Sequence, residues 1–258
     1  MPKITSRTAV ILCGGRGTRL GLLGKKIPKT LIKIKKYPII WYIINFLKIN
    51  NFNHFILPVG YKGKMIKHYI RKQKLFKKLN IEIINTGINS NIANRIEKIK
   101  KNIKSKSFLL LNGDALFNFN LENIFDKHFR NNRNITFISS ETQLPYGTIG
   151  VIGNKVRSFE REAVFNAIIK KNIRNFRGYL YSGMSIINSN LLKLNFKNFE
   201  NFEKEFYPLI IKRGKADLKI LNGFWHSIDN VKDIQILNNH KKKNEIQKLI
   251  KIIKKNEK

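Results

Sequence analysis

The chain is short of cysteine, histidine, acidic residues and long apolar runs, and each shortage removes something. A single cysteine, Cys13, excludes an intramolecular disulfide and a Cys-rich metal site, and it suits a reducing compartment. Only five histidines occur, and no Ser or Cys stands in a recognisable nucleophile elbow, so hydrolase chemistry has little support. Cys13 has no base paired with it in sequence. No apolar stretch reaches 18 residues, and Ala9 to Cys13 is too short for a signal-peptide core, so a soluble, cytoplasmic protein without a membrane span is expected.

Acids number 16 against 51 Lys plus Arg, for a net charge of +35 over 258 residues. Such an excess raises nucleic acid as a partner. The cations are nevertheless spread through every segment among Asn and Ile, with no concentrated basic-aromatic motif. A non-enzymatic RNA-binding protein is therefore the rival reading, and no specific nucleic acid is expected. With 42% hydrophobic and 11% aromatic residues the chain is too apolar for a disordered polycation. Its field would still attract a nucleoside triphosphate or a sugar phosphate.

What is present begins at Leu12-Cys13-Gly14-Gly15-Arg16-Gly17-Thr18-Arg19-Leu20, after the strand-like run Ala9 to Leu12. Gly14, Gly15 and Gly17 allow backbone N–H groups to converge on one anion. Arg19 adds a planar fork for phosphate oxygens, and Lys29 a compact charge. The spacing fits neither a P-loop nor the Gly-x-Gly-x-x-Gly fingerprint. No helix is expected directly after the loop; Leu20 to Pro28 reads as an extended flap over a ligand.

Further on, strand patterns at Phe55 to Val59, Ile81 to Ile84 and Phe108 to Leu111 alternate with helical ones at Ile39 to Leu47, Lys64 to Lys72 and Ile92 to Ile103. This predicts an α/β fold, a Rossmann-like, mostly parallel mixed sheet flanked by helices, with the loops after the four strands on one edge. After a helix at Leu121 to Phe129, strand candidates at Ile135 to Ser139, Thr148 to Ile152, Val156 to Phe159 and Leu180 to Ile187 have short connections. They predict antiparallel additions or a mixed sheet here. A helix at Glu203 to Lys212, a strand at Ala216 to Leu221 and a helix at Val231 to His240 complete a single domain over residues 1–240. Residues 241–258 form a basic amphipathic helix for docking or for a homo-oligomer contact.

Two acids stand out. Asp114 closes the buried pattern Phe108 to Leu111 and suggests a Mg²⁺ ligand, with an Asx turn or helix cap as the plainer reading. Asp229 follows a short strand and precedes Val231, so it suits a metal ligand, the N-cap of that helix, or both. His226 beside it makes a His-Asp pair conceivable.

Taken together, these segments resemble the nucleotidyltransferases that activate sugar 1-phosphates. The opening signature stands at Leu12 to Leu20 with Pro28-Lys29-Thr30-Leu31, and later matches fall at Leu111 to Asp114, Tyr146-Gly147, Val156 to Arg161, Tyr181 to Gly183 and Gly223 to Asp229. The resemblance implies a nucleoside triphosphate held by Leu12, Gly14, Gly15, Gly17, Thr18, Arg19, Thr86, Arg95 and Asn112. It implies an acceptor met by Lys29, Gly147, Glu160, Arg161 and Gly183, and Mg²⁺ on Asp114 and Asp229. Arg19, Lys29, Asp114 and Asp229 would carry catalysis.

Thr86-Gly87 leading to Asn94-Arg95, with Gly223-Phe224-Trp225, resembles the glucose-1-phosphate cytidylyltransferases and implies CTP. Ile27-Pro28-Lys29 and Asn112-Gly113-Asp114 equally resemble heptose 1-phosphate guanylyltransferases, which implies GTP. A cytidylyltransferase for a non-sugar phosphate stays open.

Overall fold

The computed structural model describes residues 7–140, 142–143, 148–152, 155–160, 164–165, 179–221 and 223–256. Gly147 and Arg161 lie outside the described residues, and Glu160 is described only in its backbone.

Among the described residues, seven strands form the central sheet: β1 (Thr8–Leu12), β2 (His54–Val59), β3 (Asn80–Asn85), β4 (Ser107–Asn112), β5 (Ile135–Ser140), β6 (Tyr181–Asn188) and β7 (Ala216–Leu221). Their order is β7-β5-β6-β4-β1-β2-β3. β6 runs antiparallel to both its neighbours, and every other pairing in this sheet is parallel. Of the expected additions, β6 is antiparallel and Thr148–Ile152 pairs antiparallel with Lys155–Glu160, whereas β5 runs with the parallel set, because the ten-residue helix Leu121–Arg130 returns the chain to the starting edge; β7, whose direction was not predicted, pairs parallel with β5.

The central strands of the sheet are buried on both faces, and the period of two divides their side chains between two cores. Ala9, Ile11, Leu109 and Leu111 pack on one side, with α2 (Ile39–Ile49) and the helices α3 (Gly63–Lys72) and α5 (Leu121–Arg130). Val10, Phe108 and Leu110 face α4 (Ile92–Ile99) and α6 (Tyr207–Lys212) on the other. α2 is apolar nearly all round and buried from Ile39 to Leu47, because a second helix layer covers it.

That cover includes α7 (Val231–Asn238) and α8 (His240–Lys255). Ile246, Leu249 and Ile253 of α8 are at most 1% exposed and join the α2 core. The amphipathic stripe read from the sequence is spent on this chain's own helix.

A second correction concerns the stretch after the glycine loop. It is a helical turn, Thr18–Leu20, running into the helix α1 (Gly21–Lys26), where an extended flap was expected. Gly24 makes this possible, since a Cβ there would lie 2.4 Å from the Gly17 carbonyl oxygen. The helix therefore sits directly against the loop.

Candidate active site

β1 to β4 end on one edge, and the loops after β1, β3 and β4 line a cleft of about 410 Å³, to which the loop after β2 contributes no lining residue. Leu12, Gly14, Gly15, Gly17, Thr18, Arg19, Lys29, Arg95, Asn112, Asp114 and Asp229 of the expected residues meet there. Gly17 takes a left-handed conformation (φ 62°), which turns the loop into the helical turn that carries Arg19.

The two acids are 115 positions apart, and a short antiparallel ribbon joins them. Ala115–Phe117 pairs with Trp225–Ser227 in the register Ala115 to Ser227, and the Ile228 N–H donates to the Asp114 carbonyl at 2.9 Å. The residues flanking the ribbon, Asp114 and Asp229, must then share one side of the cleft.

Lys29 lies between them. Its Nζ donates to Asp114 Oδ2 at 2.8 Å and to Asp229 Oδ1 at 3.1 Å, and Arg19 Nη1 reaches the same Asp229 oxygen at 3.4 Å. The Ser227 hydroxyl donates to Asp229 Oδ2 at 2.9 Å. Burial pushes the Asp229 carboxyl up. The Lys29 charge and hydrogen bond, Ser227 and Arg19 outweigh burial and hold it below the usual carboxylate range.

Asp229 is not the cap of α7. Asn230 takes that place, accepting from the Asp233 N–H at 3.1 Å in a capping box, which leaves the Asp229 carboxylate to the cleft. His226 Nε2 sits 3.8 Å from Oδ1 of Asp233, the acid of that capping box. Cys13 is buried, and that burial, reinforced by Asp114 and opposed by Arg95, drives its thiol far above the usual range. A thiolate nucleophile is disfavoured.

Thr86 and Arg95 have a different placement from a simple ligand contact. Thr86 is fully buried and donates its hydroxyl hydrogen to the Val59 carbonyl at 2.9 Å, so it sits behind the cleft wall. Arg95, 5% exposed, donates to Thr86 Oγ1 at 2.5 Å, to the Val59 carbonyl at 3.3 Å and to the Gly14 carbonyl at 3.1 Å. Its guanidinium occupies the space that a Cβ on Gly14 would need. Burial lowers its pKa.

Gly183 is at φ 76°, and a Cβ there would come within 2.7 Å of Asn112 Nδ2. It therefore supports the wall that Asn112 lines, from the antiparallel strand next door.

Several lining residues went unread in the sequence. Thr30, Ser90, Asn91 and Ile92 line the cleft, and Arg16 donates to Asn89 Oδ1 at 2.8 Å, tying the glycine loop to the loop before α4. Asn91 carries a legible signal, since it caps α4 by accepting from the Asn94 N–H.

No group of three or more His, Cys, Asp or Glu converges among the described residues. A magnesium ion needs fewer, because it binds through one or two carboxylates and fills its octahedron with substrate phosphates and water. Asp114 and Asp229 offer hard oxygens and already face one cation, the Lys29 ammonium. The donor set fits.

A parallel-edge cleft with a glycine loop, two cations and two convergent acids defines an α/β protein built to handle a phosphorylated nucleotide. The chain belongs to the nucleotidyl transferase family, whose pattern matches residues 8–244, and within it to the enzymes of sugar 1-phosphates. A Bacillus subtilis protein assigned as a glucose-1-phosphate cytidylyltransferase is 28% identical over 250 residues, covering 89% of this chain and 94% of its own. The D-glycero-alpha-D-manno-heptose 1-phosphate guanylyltransferase of Campylobacter jejuni is 31% identical, covering 85% and 93%. A solved structure from Bacillus anthracis, assigned as a glucose-1-phosphate thymidylyltransferase, superposes with a TM-score of 0.69 at 16% identity, over 90% of this chain and 94% of that one.

Proposed function

We propose that this nucleotidyltransferase joins CTP to a sugar 1-phosphate in the cytoplasm, with Mg²⁺, giving a CDP-sugar and pyrophosphate. The observation that carries this is Lys29 Nζ held between Asp114 and Asp229 beside the glycine loop. One side of the cleft then suits a triphosphate, and the other a metal and an incoming phosphate.

In this reading the acceptor's phosphate oxygen attacks the nucleotide α-phosphorus. The new P–O bond forms as the bond to the bridging oxygen breaks, and pyrophosphate leaves with the electron pair. The attacking oxygen is already anionic, so no strong base is required, and alignment and charge neutralisation do the work. The amides of Gly14, Gly15 and Gly17, the Thr18 hydroxyl and Arg19 would orient the β- and γ-phosphates. Lys29 would neutralise charge at the transferring group. Asp114 and Asp229 would hold Mg²⁺, which supplies charge neutralisation between the two reactants. Gly147, Glu160, Arg161 and Gly183 are assigned to the acceptor side on resemblance alone.

CTP is favoured by the likeness of Thr86-Gly87 and Gly223-Phe224-Trp225 to the cytidylyltransferases, together with the Bacillus subtilis relative. The Campylobacter jejuni relative, at 31% identity, favours a second reading with GTP and a heptose 1-phosphate. Pyrophosphate release from each of the four nucleoside triphosphates against glucose 1-phosphate and a heptose 1-phosphate separates the two. CTP with glucose 1-phosphate is expected to be fastest; a maximum at GTP with the heptose gives the second reading.

A further inference from the structure

The proposed metal position already faces a cation supplied by the chain. Lys29 is 16% exposed along its side chain and is the cation paired with Asp114 among the described residues. Arg19 and Lys29 together balance Asp114 and Asp229, two positive charges against two negative. A free divalent ion approaching this cluster meets an ammonium on the oxygens that it needs. At hydrogen-bond range in a partly buried site, that repulsion is only weakly screened.

The backbone of Lys29 cannot yield easily. Pro28 is extended, the Leu31 N–H donates to the Pro28 carbonyl at 2.9 Å, and the Ile32 N–H donates to the Lys29 carbonyl at 3.1 Å. Ile32, 2% exposed, anchors this turn in the core. Only the side chain has freedom to move. A Cβ placed on Gly17 would lie 3.6 Å from the Lys29 Cβ, so the stem starts beside the glycine loop and its end can turn toward an anion bound there.

We propose that Lys29 is an internal counter-ion that blocks free divalent metal from the carboxylate pair until a nucleotide polyphosphate draws the ammonium away. Metal and nucleotide then enter together. The inference rests on the assignment of Asp114 and Asp229 as metal ligands. It adds a function to Lys29 in the nucleotide-free protein, distinct from neutralising charge during transfer.

Binding of Mn²⁺ to the nucleotide-free protein, followed by calorimetry and by the electron paramagnetic resonance of the ion, tests this on the wild type, Lys29→Met and Lys29→Arg. The methionine variant is expected to bind Mn²⁺ at least tenfold more tightly than the wild type. The arginine variant, which keeps the charge, is expected to stay weak. Mg²⁺ without nucleotide should raise the melting temperature of Lys29→Met by more than that of the wild type, a readout independent of turnover.

Equal Mn²⁺ affinity in Lys29→Met and the wild type, with wild-type uptake restored by nucleotide, overturns the counter-ion role and leaves the metal assignment standing. Failure of nucleotide to raise wild-type uptake above that of Asp114→Asn, with any of the four triphosphates, overturns the metal assignment and this inference with it.

Discussion

At the scale of single residues, Asp114 and Asp229 are satisfied by Lys29 and Arg19. Asp114→Ala leaves the core intact and removes one side of the cluster; kcat is expected to fall by about a hundredfold or more, the size typical of losing a preorganised electrostatic group. Circular dichroism and the melting temperature should stay near those of the wild type. Asp229 gives a pH signature. Its folded pKa lies below the unfolded one, so its contribution to stability is present above the usual carboxylate range and is lost as pH falls through the lowered value. Melting temperatures of the wild type and Asp229→Asn should therefore differ most near neutrality and converge in acid.

His128 acts in the same sense, over a higher pH window. Burial lowers it from 6.5 to about 4, so between those values the unfolded chain takes up the proton and stability falls with falling pH. His128→Gln should flatten that part of the stability profile, measured by urea unfolding at successive pH values.

Asp114 and Asp229 were legible as candidates because carboxylates are scarce here and both close apolar strand patterns. Their convergence was not, since it depends on the ribbon register of Ala115 with Ser227. The burial of Thr86 and the bracing by Arg95 were equally hidden. A motif gives the residue type, and only packing shows which face it turns to the cleft.

At the scale of elements, two contacts decide the site and the stability. α1 presses Gly24 against the carbonyl of Gly17, so Gly24→Ala is expected to displace the glycine loop. The KM for nucleotide should rise by roughly tenfold or more, in keeping with the cost of sub-ångström misplacement, with a smaller change in the KM for the acceptor. Initial-rate kinetics with each substrate varied in turn measures the split. α8 contributes through Ile246, Leu249 and Ile253 packed on α2, so Leu249→Ala is expected to cost about 2 to 5 kcal/mol in urea unfolding.

Most of the alternation of strands and helices from Thr8 to Asn112 was readable because short continuous apolar runs, such as Phe108 to Leu111, are set between period-3.6 patterns there. α1 was not, because Gly21-Leu22-Leu23-Gly24 has poor intrinsic helix propensity and is held by its contact with the loop. The direction of β5 also escaped reading, since connection length separates parallel from antiparallel only where the intervening helix is counted.

At the scale of the whole molecule, a net charge of +35 surrounds a cleft whose own charged cluster is balanced. The long-range field is therefore suited to gathering anionic substrates, and the local geometry to sorting them. That division predicts a kcat/KM for nucleotide that falls with added salt while kcat changes little. Family, fold and cleft were carried by the sequence from Leu12 to Asp229; the base and the acceptor depend on short loops, where one residue changes the contacts.

The most direct measurement is pyrophosphate release with each nucleoside triphosphate, in the presence and absence of a sugar 1-phosphate, for the wild type and Asp114→Ala. Release is expected only when both substrates are present, greatest with CTP, and lost in the variant. Release that ignores the acceptor, or that survives intact in Asp114→Ala at saturating Mg²⁺, would contradict the proposed function.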